Sequence, residues 1–200
     1  MLAGVNPVFV DIDPATLCLD LEKAEETITP RTKAIMFVSL NGRSPDMNEV
    51  VKFAADHDLF LVEDAAQSMG SRYRGKHLGT FGQVGSFSFS SPKIITTGQG
   101  GVLVTEDEKL HEKISLIKNF GRQKEGIDYH VVVGYNFKFT DLQAVIGIEQ
   151  MKKLDWRVNR KKEIYKLYCD LLESVTQIEF IETNLKDTAP WYIDILVEDR

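Results

Sequence analysis

The chain has 200 residues, 27% of them charged and 43% hydrophobic, the balance of an ordinary globular protein with room for one domain, or one and part of another. A formal net charge of -6 argues against non-specific nucleic-acid binding, and the basic run Arg157 to Lys162 reads as a solvated helix face. Cys18 and Cys169 stand far apart, the four histidines share no ligand spacing, and no apolar run reaches membrane-spanning length, so a cytoplasmic protein without disulfide, metal site or membrane partner is expected.

In chain order, strands and helices alternate. Val8–Ile12 reads as a short apolar strand ended by Asp13-Pro14. Leu21, Ala24, Glu25 and Ile28 have helical spacing with few strong apolar positions, predicting a peripheral helix closed by Pro30 and Arg31. Ala34–Leu40 is a near-continuous apolar run, the mark of a strand covered on both faces. After a loop at Asn41-Gly42 and Ser44-Pro45, the residues Met47, Val50, Val51 and Ala54 line one helix face, and Leu59–Val62 is the next buried strand. This strand–helix–strand unit predicts a parallel pair. Ligands of open sheets of this kind bind beyond the carboxyl ends of the strands, where Asp64 and Lys93 both stand.

Phe87 and Phe89 alternate with serines up to Pro92, which cannot donate to a sheet ladder and should end that strand. Lys93 follows, then Ile94-Ile95, a turn at Gly98, Gly100 and Gly101, and a buried strand from Val102 to Val104. A lysine with apolar neighbours suits a lowered pKa and Schiff-base chemistry; a solvated loop lysine is the plainer alternative. Thr105–Glu108 reads as a capping box opening a helix with Leu110, Ile114 and Ile117 inward, and Thr140–Gln143 as a second, opening a helix through Met151. Gly121–Tyr129 is a polar loop. The apolar segment from His130 to Phe137 has no helical period and either inserts in its own core or covers a partner. A long helix from about Trp156 to Ser174 presents Ile164, Tyr165, Tyr168, Leu171 and Leu172 on one face, and Ile178–Ile181 and Trp191–Val197 read as strands. The change of pattern near residue 155 marks the boundary between a first domain, 1–155, and a short second one, 156–200.

Glu63-Asp-Ala-Ala-Gln67, Gly79-Thr-Phe-Gly82, Gly85-Ser-Phe-Ser-Phe89, Lys93, Thr97-Gly-Gln-Gly-Gly101 and Gly134-Tyr-Asn136, in that order, resemble the DegT/DnrJ/EryC1/StrS family of pyridoxal-phosphate-dependent nucleotide-sugar aminotransferases. The resemblance runs from about Val8 to the end. It implies an α/β, three-layer architecture with a mostly parallel sheet, the fold type I of aspartate aminotransferase, followed by the start of a small α+β domain. The segment from Lys93 to Gly101 most resembles the perosamine-synthase branch, whose members aminate a GDP-linked 4-keto-6-deoxy sugar in polysaccharide biosynthesis.

The resemblance also implies site roles. Lys93 would hold pyridoxal 5'-phosphate as a Schiff base and, once freed, move the substrate proton. Asp64 would pair with the pyridine nitrogen, Gln67 would lie against the phenolic oxygen, and Ser88 would bind the phosphate. Asn136 would reach the phosphate of the neighbouring subunit's cofactor, implying a homodimer with shared sites. Without the resemblance each has a plainer reading: a helix cap for Asp64, a structural amide for Gln67, a strand serine for Ser88 and a turn residue for Asn136. The expected reaction moves an amino group from an amino acid, glutamate by resemblance, to a keto group of a nucleotide-linked sugar. Two alternatives stand beside it: a non-catalytic fragment or assembly module, and a sugar dehydratase of the same family, against which Lys93 argues because those members carry histidine there. The chain departs from the family in having Gln99 where Glu is frequent, and Val38-Ser-Leu-Asn-Gly42 in place of a His-containing segment. Family members also extend further on both sides, so the chain reads as a fragment beginning in mid-domain.

Overall fold

The computed structural model describes residues 4–124 and 126–197; the expected mid-domain start at Met1 and the chain end at Arg200 lie outside the described residues. The first segment does not form the expected strand. Ile12 alone pairs, in an antiparallel bridge to Leu19, while Phe9 is 91% exposed. Apolar residues form a strand only where a neighbouring strand takes their backbone groups, and among the described residues only that single bridge is offered between Pro7 and Pro14. Asp20 caps helix α1 (Leu21–Thr27), its carboxylate accepting the Glu22 and Lys23 amides, and α1 buries only Ala24, as a peripheral helix should.

Strand β1 (Ala34–Val38), helix α2 (Met47–Asp56) and strand β2 (Phe60–Asp64) build the expected parallel unit, with Ala34 opposite Phe60 and Val38 opposite Asp64. Asp46 caps α2 through the Asn48 amide, and Met47, Val50 and Ala54 of α2 pack with Ile35, Phe37, Leu61 and Cys18 in the main core. Val51, expected on that face, points outward. Among the described residues, α2 covers one face of β1. Met36, between buried Ile35 and Phe37, is 62% exposed, so the other face of β1 is open at this position. Period-2 geometry sends Met36 to the side α2 does not reach.

A small hairpin, β3 (Arg72–Tyr73) and β4 (Lys76–His77), leads to β5 (Val84–Ser88), which joins β2 in parallel with Asp64 opposite Ser86. Strand β6 (Gly101–Val104) pairs antiparallel with β5, and the order β1-β2-β5-β6 gives a mixed, mostly parallel sheet in an α/β fold. The backbone of Gly85 lies so close to Gly79 that a Cβ at position 85 would stand 1.8 Å from the Gly79 carbonyl oxygen. That packing requires glycine at 85, whereas Gly79 is required by its left-handed φ of 85° and by Phe87 and Ala65, which a Cβ there would strike.

Helix α3 (Glu108–Lys118) is capped by Asp107, not Thr105: the Asp107 carboxylate accepts the Leu110 amide at 3.0 Å. The Thr105 hydroxyl instead donates to the Gln83 carbonyl at 2.7 Å, a tertiary partner that local pattern does not reveal. The capping box at Thr140 forms as read: Gln143 N–H donates to Thr140 Oγ1, Thr140 N–H donates to Gln143 Oε1, and α4 (Asp141–Met151) follows. None of α4 is buried, and Leu142 is 80% exposed. Helix α5 (Leu154–Leu172) begins two residues before the expected start and buries Val158 and Tyr165; Tyr168 and Leu171 of the expected face are exposed. Strands β7 (Ile178–Phe180) and β8 (Ile195–Val197) pair antiparallel. Among the described residues no helix is long and apolar enough to cross a membrane.

Candidate active site

The parallel strands β1, β2 and β5 all deliver their carboxyl ends to one edge of the sheet. Asp64 is the last residue of β2, Ser88 the last of β5, and Lys93 lies five residues beyond Ser88 in a loop whose Lys93 amide donates to the Ser90 carbonyl. The Lys93 amine is half-buried. Burial holds its pKa below the ordinary lysine value, and the negative charge of Asp64 acts in the opposite sense. The two side chains are therefore electrostatic neighbours at the strand ends, where sequence pattern put them.

The amine is not free in space. Lys93 Nζ sits over the indole of Trp191, 3.5 Å from the ring centroid. Trp191 Nε1 donates to the Pro92 carbonyl at 2.9 Å, and Lys161 Nζ donates to the Trp191 carbonyl at 2.6 Å. Trp191 also joins Ile94, Ile95, Val158 and Ala189 in a second apolar cluster between the lysine loop and α5. Residues 191–192 are not strand, contrary to the sequence reading, because the segment here serves the lysine loop and joins a ladder only from Ile195.

Asp64 Oδ1 accepts the Ala66 amide at 3.0 Å, a local turn bond. Gln67 is held through its carbonyl: Oε1 accepts the Asn41 amide at 2.9 Å. Because Asn41 N–H can only donate, the oxygen end of Gln67 is fixed there and Nε2, a donor, is its other face. Asn41 itself adopts a left-handed conformation, φ 49°, and donates through Nδ2 to both carboxylate oxygens of Asp194 at 2.8 Å. Asp194 is also ion-paired with buried Arg43, whose Nε donates to Thr183. Three neighbouring buried atoms have no protein partner: Ser39 Oγ, Asn41 Oδ1 and Arg43 Nη2. Ser88 Oγ donates to Ser90 Oγ at 3.1 Å, placing two hydroxyls together at the end of β5.

Glu63 is fully buried beside this edge. Its Oε2 accepts the Gly79 amide at 2.7 Å and its Oε1 accepts the amides of Phe81 and Gly82. It thereby ties the 79–82 loop to β2. Sequence reasoning used Glu63 only as part of a motif, and it missed Trp191, Asp194, Asn41 and Arg43; a pattern read in short windows gives no sign of partners so distant in the chain.

Asn136 stands apart. It bridges Asn119 at the end of α3 and is exposed, and the 131–137 segment is pinned by bonds from the Tyr135 and Phe137 amides to the Ile117 and Lys118 carbonyls. Of the expected site residues, the structure brings Asp64, Gln67, Ser88 and Lys93 to one sheet edge and leaves Asn136 on an exposed apolar surface with Val133 (86% exposed), Tyr135 and Phe137.

The donor set fits pyridoxal 5'-phosphate on chemical grounds. A poorly solvated amine suits an aldehyde, a carboxylate suits a protonated ring nitrogen, an oriented amide N–H suits a phenolate oxygen, and paired hydroxyls suit a phosphate.

The chain is similar to known proteins along most of its length. The chain is 38% identical over 193 residues to the GDP-perosamine synthase of Escherichia coli O157:H7, covering 96% of this chain and 53% of that protein. The aminotransferase PseC of Helicobacter pylori, involved in pseudaminic acid biosynthesis, superposes with a TM-score of 0.91 at 30% identity, over 98% of this chain and 54% of that one. The E. coli GDP-4-keto-6-deoxy-D-mannose-3-dehydratase, solved with bound hydrated PLP, superposes with a TM-score of 0.84 at 28% identity over 96% and 53%. The chain thus spans about half the length of the curated relatives it matches. The profile of the DegT/DnrJ/EryC1/StrS aminotransferase family matches residues 1–200, and the chain belongs to that family.

Proposed function

We propose that this chain carries the lysine-bearing part of a pyridoxal-phosphate-dependent aminotransferase, moving an amino group from an amino acid, glutamate, to a keto group of a nucleotide-linked deoxy sugar. GDP-4-keto-6-deoxymannose is the favoured acceptor, because a GDP-perosamine synthase is among the relatives. The observation that carries the reading is the half-buried Lys93 amine beyond the carboxyl edge of a parallel sheet, with the Asp64 charge near enough to act on it.

When bound, the cofactor supplies an electron sink for the substrate carbanion. The chain's own residues do the rest. Lys93 Nζ anchors the cofactor and, when free, takes and returns the proton at the substrate carbon; burial helps keep it neutral enough to act as a base. The Asp64 carboxylate favours the protonated ring nitrogen. Gln67 Nε2 donates toward the phenolic oxygen, held by the bond of its Oε1 to Asn41 N–H. Ser88 Oγ binds the phosphate together with its neighbour Ser90. Asn136 acts in a homodimer, reaching the phosphate in the partner's site from the exposed 131–137 segment. A division into domains 1–155 and 156–200, and a cytoplasmic setting, belong to the same reading.

The test is to incubate the protein with pyridoxal 5'-phosphate, reduce with borohydride and map the modified peptide. A phosphopyridoxyl group on Lys93, lost in Lys93→Ala, is expected; modification spread over surface lysines with none at Lys93 refutes the assignment. Turnover of GDP-4-keto-6-deoxymannose with glutamate, against other keto-sugar nucleotides, then tests the acceptor.

A further inference from the structure

The Lys93 amine must have somewhere to be whenever it is not covalently engaged, and the surroundings of that place decide how well it holds a proton. Here the amine rests on an aromatic face. The indole of Trp191 is held by three independent attachments: Nε1 to the Pro92 carbonyl at 2.9 Å, the main-chain carbonyl to Lys161 Nζ at 2.6 Å, and packing against Ile94, Ile95 and Val158. Its chain neighbour Ala189 is fully buried and donates its amide to Ser71 Oγ at 2.9 Å, so the whole segment is fastened across the sheet edge. Tyr192 leans on the indole with ring centroids 4.2 Å apart.

We propose that Trp191 is the positioning residue for the reactive amine: its ring face receives the Lys93 ammonium when the lysine is free and stabilises that charged form next to Asp64. An aromatic face attracts a cation through its quadrupole, and more strongly where water is scarce. Charged groups near the amine come from two elements. Asp64 at the end of β2 favours the ammonium. Lys161 and Arg157 of α5, the cations packed on the same loop, are engaged by the carbonyls of Trp191 and Ile94 respectively. The indole and the carboxylate thus act together against burial. A lysine that must alternate between base and acid needs such a balance, since either form held too firmly stalls the proton transfer.

The importance of this contact for turnover rests on Lys93 being the cofactor lysine, but the contact itself is testable without cofactor. The cofactor-free protein is trace-labelled with isotopic acetic anhydride over a pH series, and the label on the Lys93 peptide is quantified by mass spectrometry. Only the neutral amine reacts. In Trp191→Leu, which keeps an apolar neighbour but no π face, labelling of Lys93 at neutral pH should rise about tenfold and its profile should move to lower pH. Trp191→Phe, which retains a ring, should show a smaller change in the same direction. A Lys93 profile that is unchanged, or that moves to higher pH, in folded Trp191→Leu or Trp191→Phe protein makes the indole a mere packing element and overturns the proposal. Failure of borohydride trapping at Lys93 would instead count against the proposed function and leave this result standing.

Discussion

Glu63 and Gly79 are joined, in the interior, by a hydrogen bond of 2.7 Å from the glycine amide to the glutamate carboxylate. The same carboxylate takes the amides of Phe81 and Gly82, so a single buried charge is matched by three backbone donors. Such a carboxylate has no substitute among neutral side chains, because an amide turns one acceptor into a donor that faces other donors. Glu63→Gln should therefore lose about 3 kcal/mol of stability, comparable to hydrogen bonds to charge left unmade. Urea unfolding followed by circular dichroism measures it; a midpoint equal to that of the parent protein contradicts the role.

Asp64 offers a separate test, because its cap-like bond and its charge can be dissected. Asp64→Asn keeps an oxygen for the Ala66 amide, so the fold should be little disturbed. The charge that favours the Lys93 ammonium is gone, so the Lys93 pKa should fall further and its reactivity at neutral pH should increase. Turnover should fall by about two to three powers of ten, the usual cost of one missing electrostatic partner in a transition state. Full activity with cofactor bound would return Asp64 to a turn residue.

The two cysteines should differ sharply. Cys18 is 1% exposed, and burial pushes its thiol up to about 11, while Cys169 is half-buried on α5. At pH 7 only about one Cys18 in ten thousand would be thiolate, the reactive form. A disulfide reagent should modify Cys169 in the native protein and Cys18 only on unfolding. Peptide mapping after short exposure reads the order directly, and early Cys18 modification would mean that the main core opens readily.

Shared sites predict complementation. In a mixed dimer of Lys93→Ala and Asn136→Ala subunits, one site carries both lesions and the other neither. Mixing the two weakly active proteins, with time for exchange, should restore part of the activity, at most about a quarter of the parent rate for random pairing at equal amounts. No recovery despite demonstrated subunit exchange would make Asn136 an ordinary surface residue.

What sequence pattern reveals here is what short windows contain. The runs Ala34–Leu40 and Leu59–Val62 became β1 and β2, and Thr140 with Gln143 formed its capping box, because apolar periodicity and capping act within a few residues. Asp64 and Lys93 were legible as strand-end residues for the same reason. Val8–Ile12 failed because a strand needs a partner that its own residues do not announce, and Thr105 failed because Gln83 claimed its hydroxyl. Trp191 looked like the start of a strand and became the surface beneath Lys93. Its partner Pro92 lies 99 residues away, and no local rule spans that distance.

The bond between Asn41 and Asp194 joins residues 153 apart in the chain. Asn41 holds Gln67, so the orientation of that amide depends on a residue made much later in synthesis. During synthesis, β1, α2 and β2 have local partners and can form early, whereas the turn at Asn41 must wait for Asp194 to leave the ribosome. A nascent chain stalled just before Asp194 would hold β1, α2 and β2 with the turn at Asn41 unset.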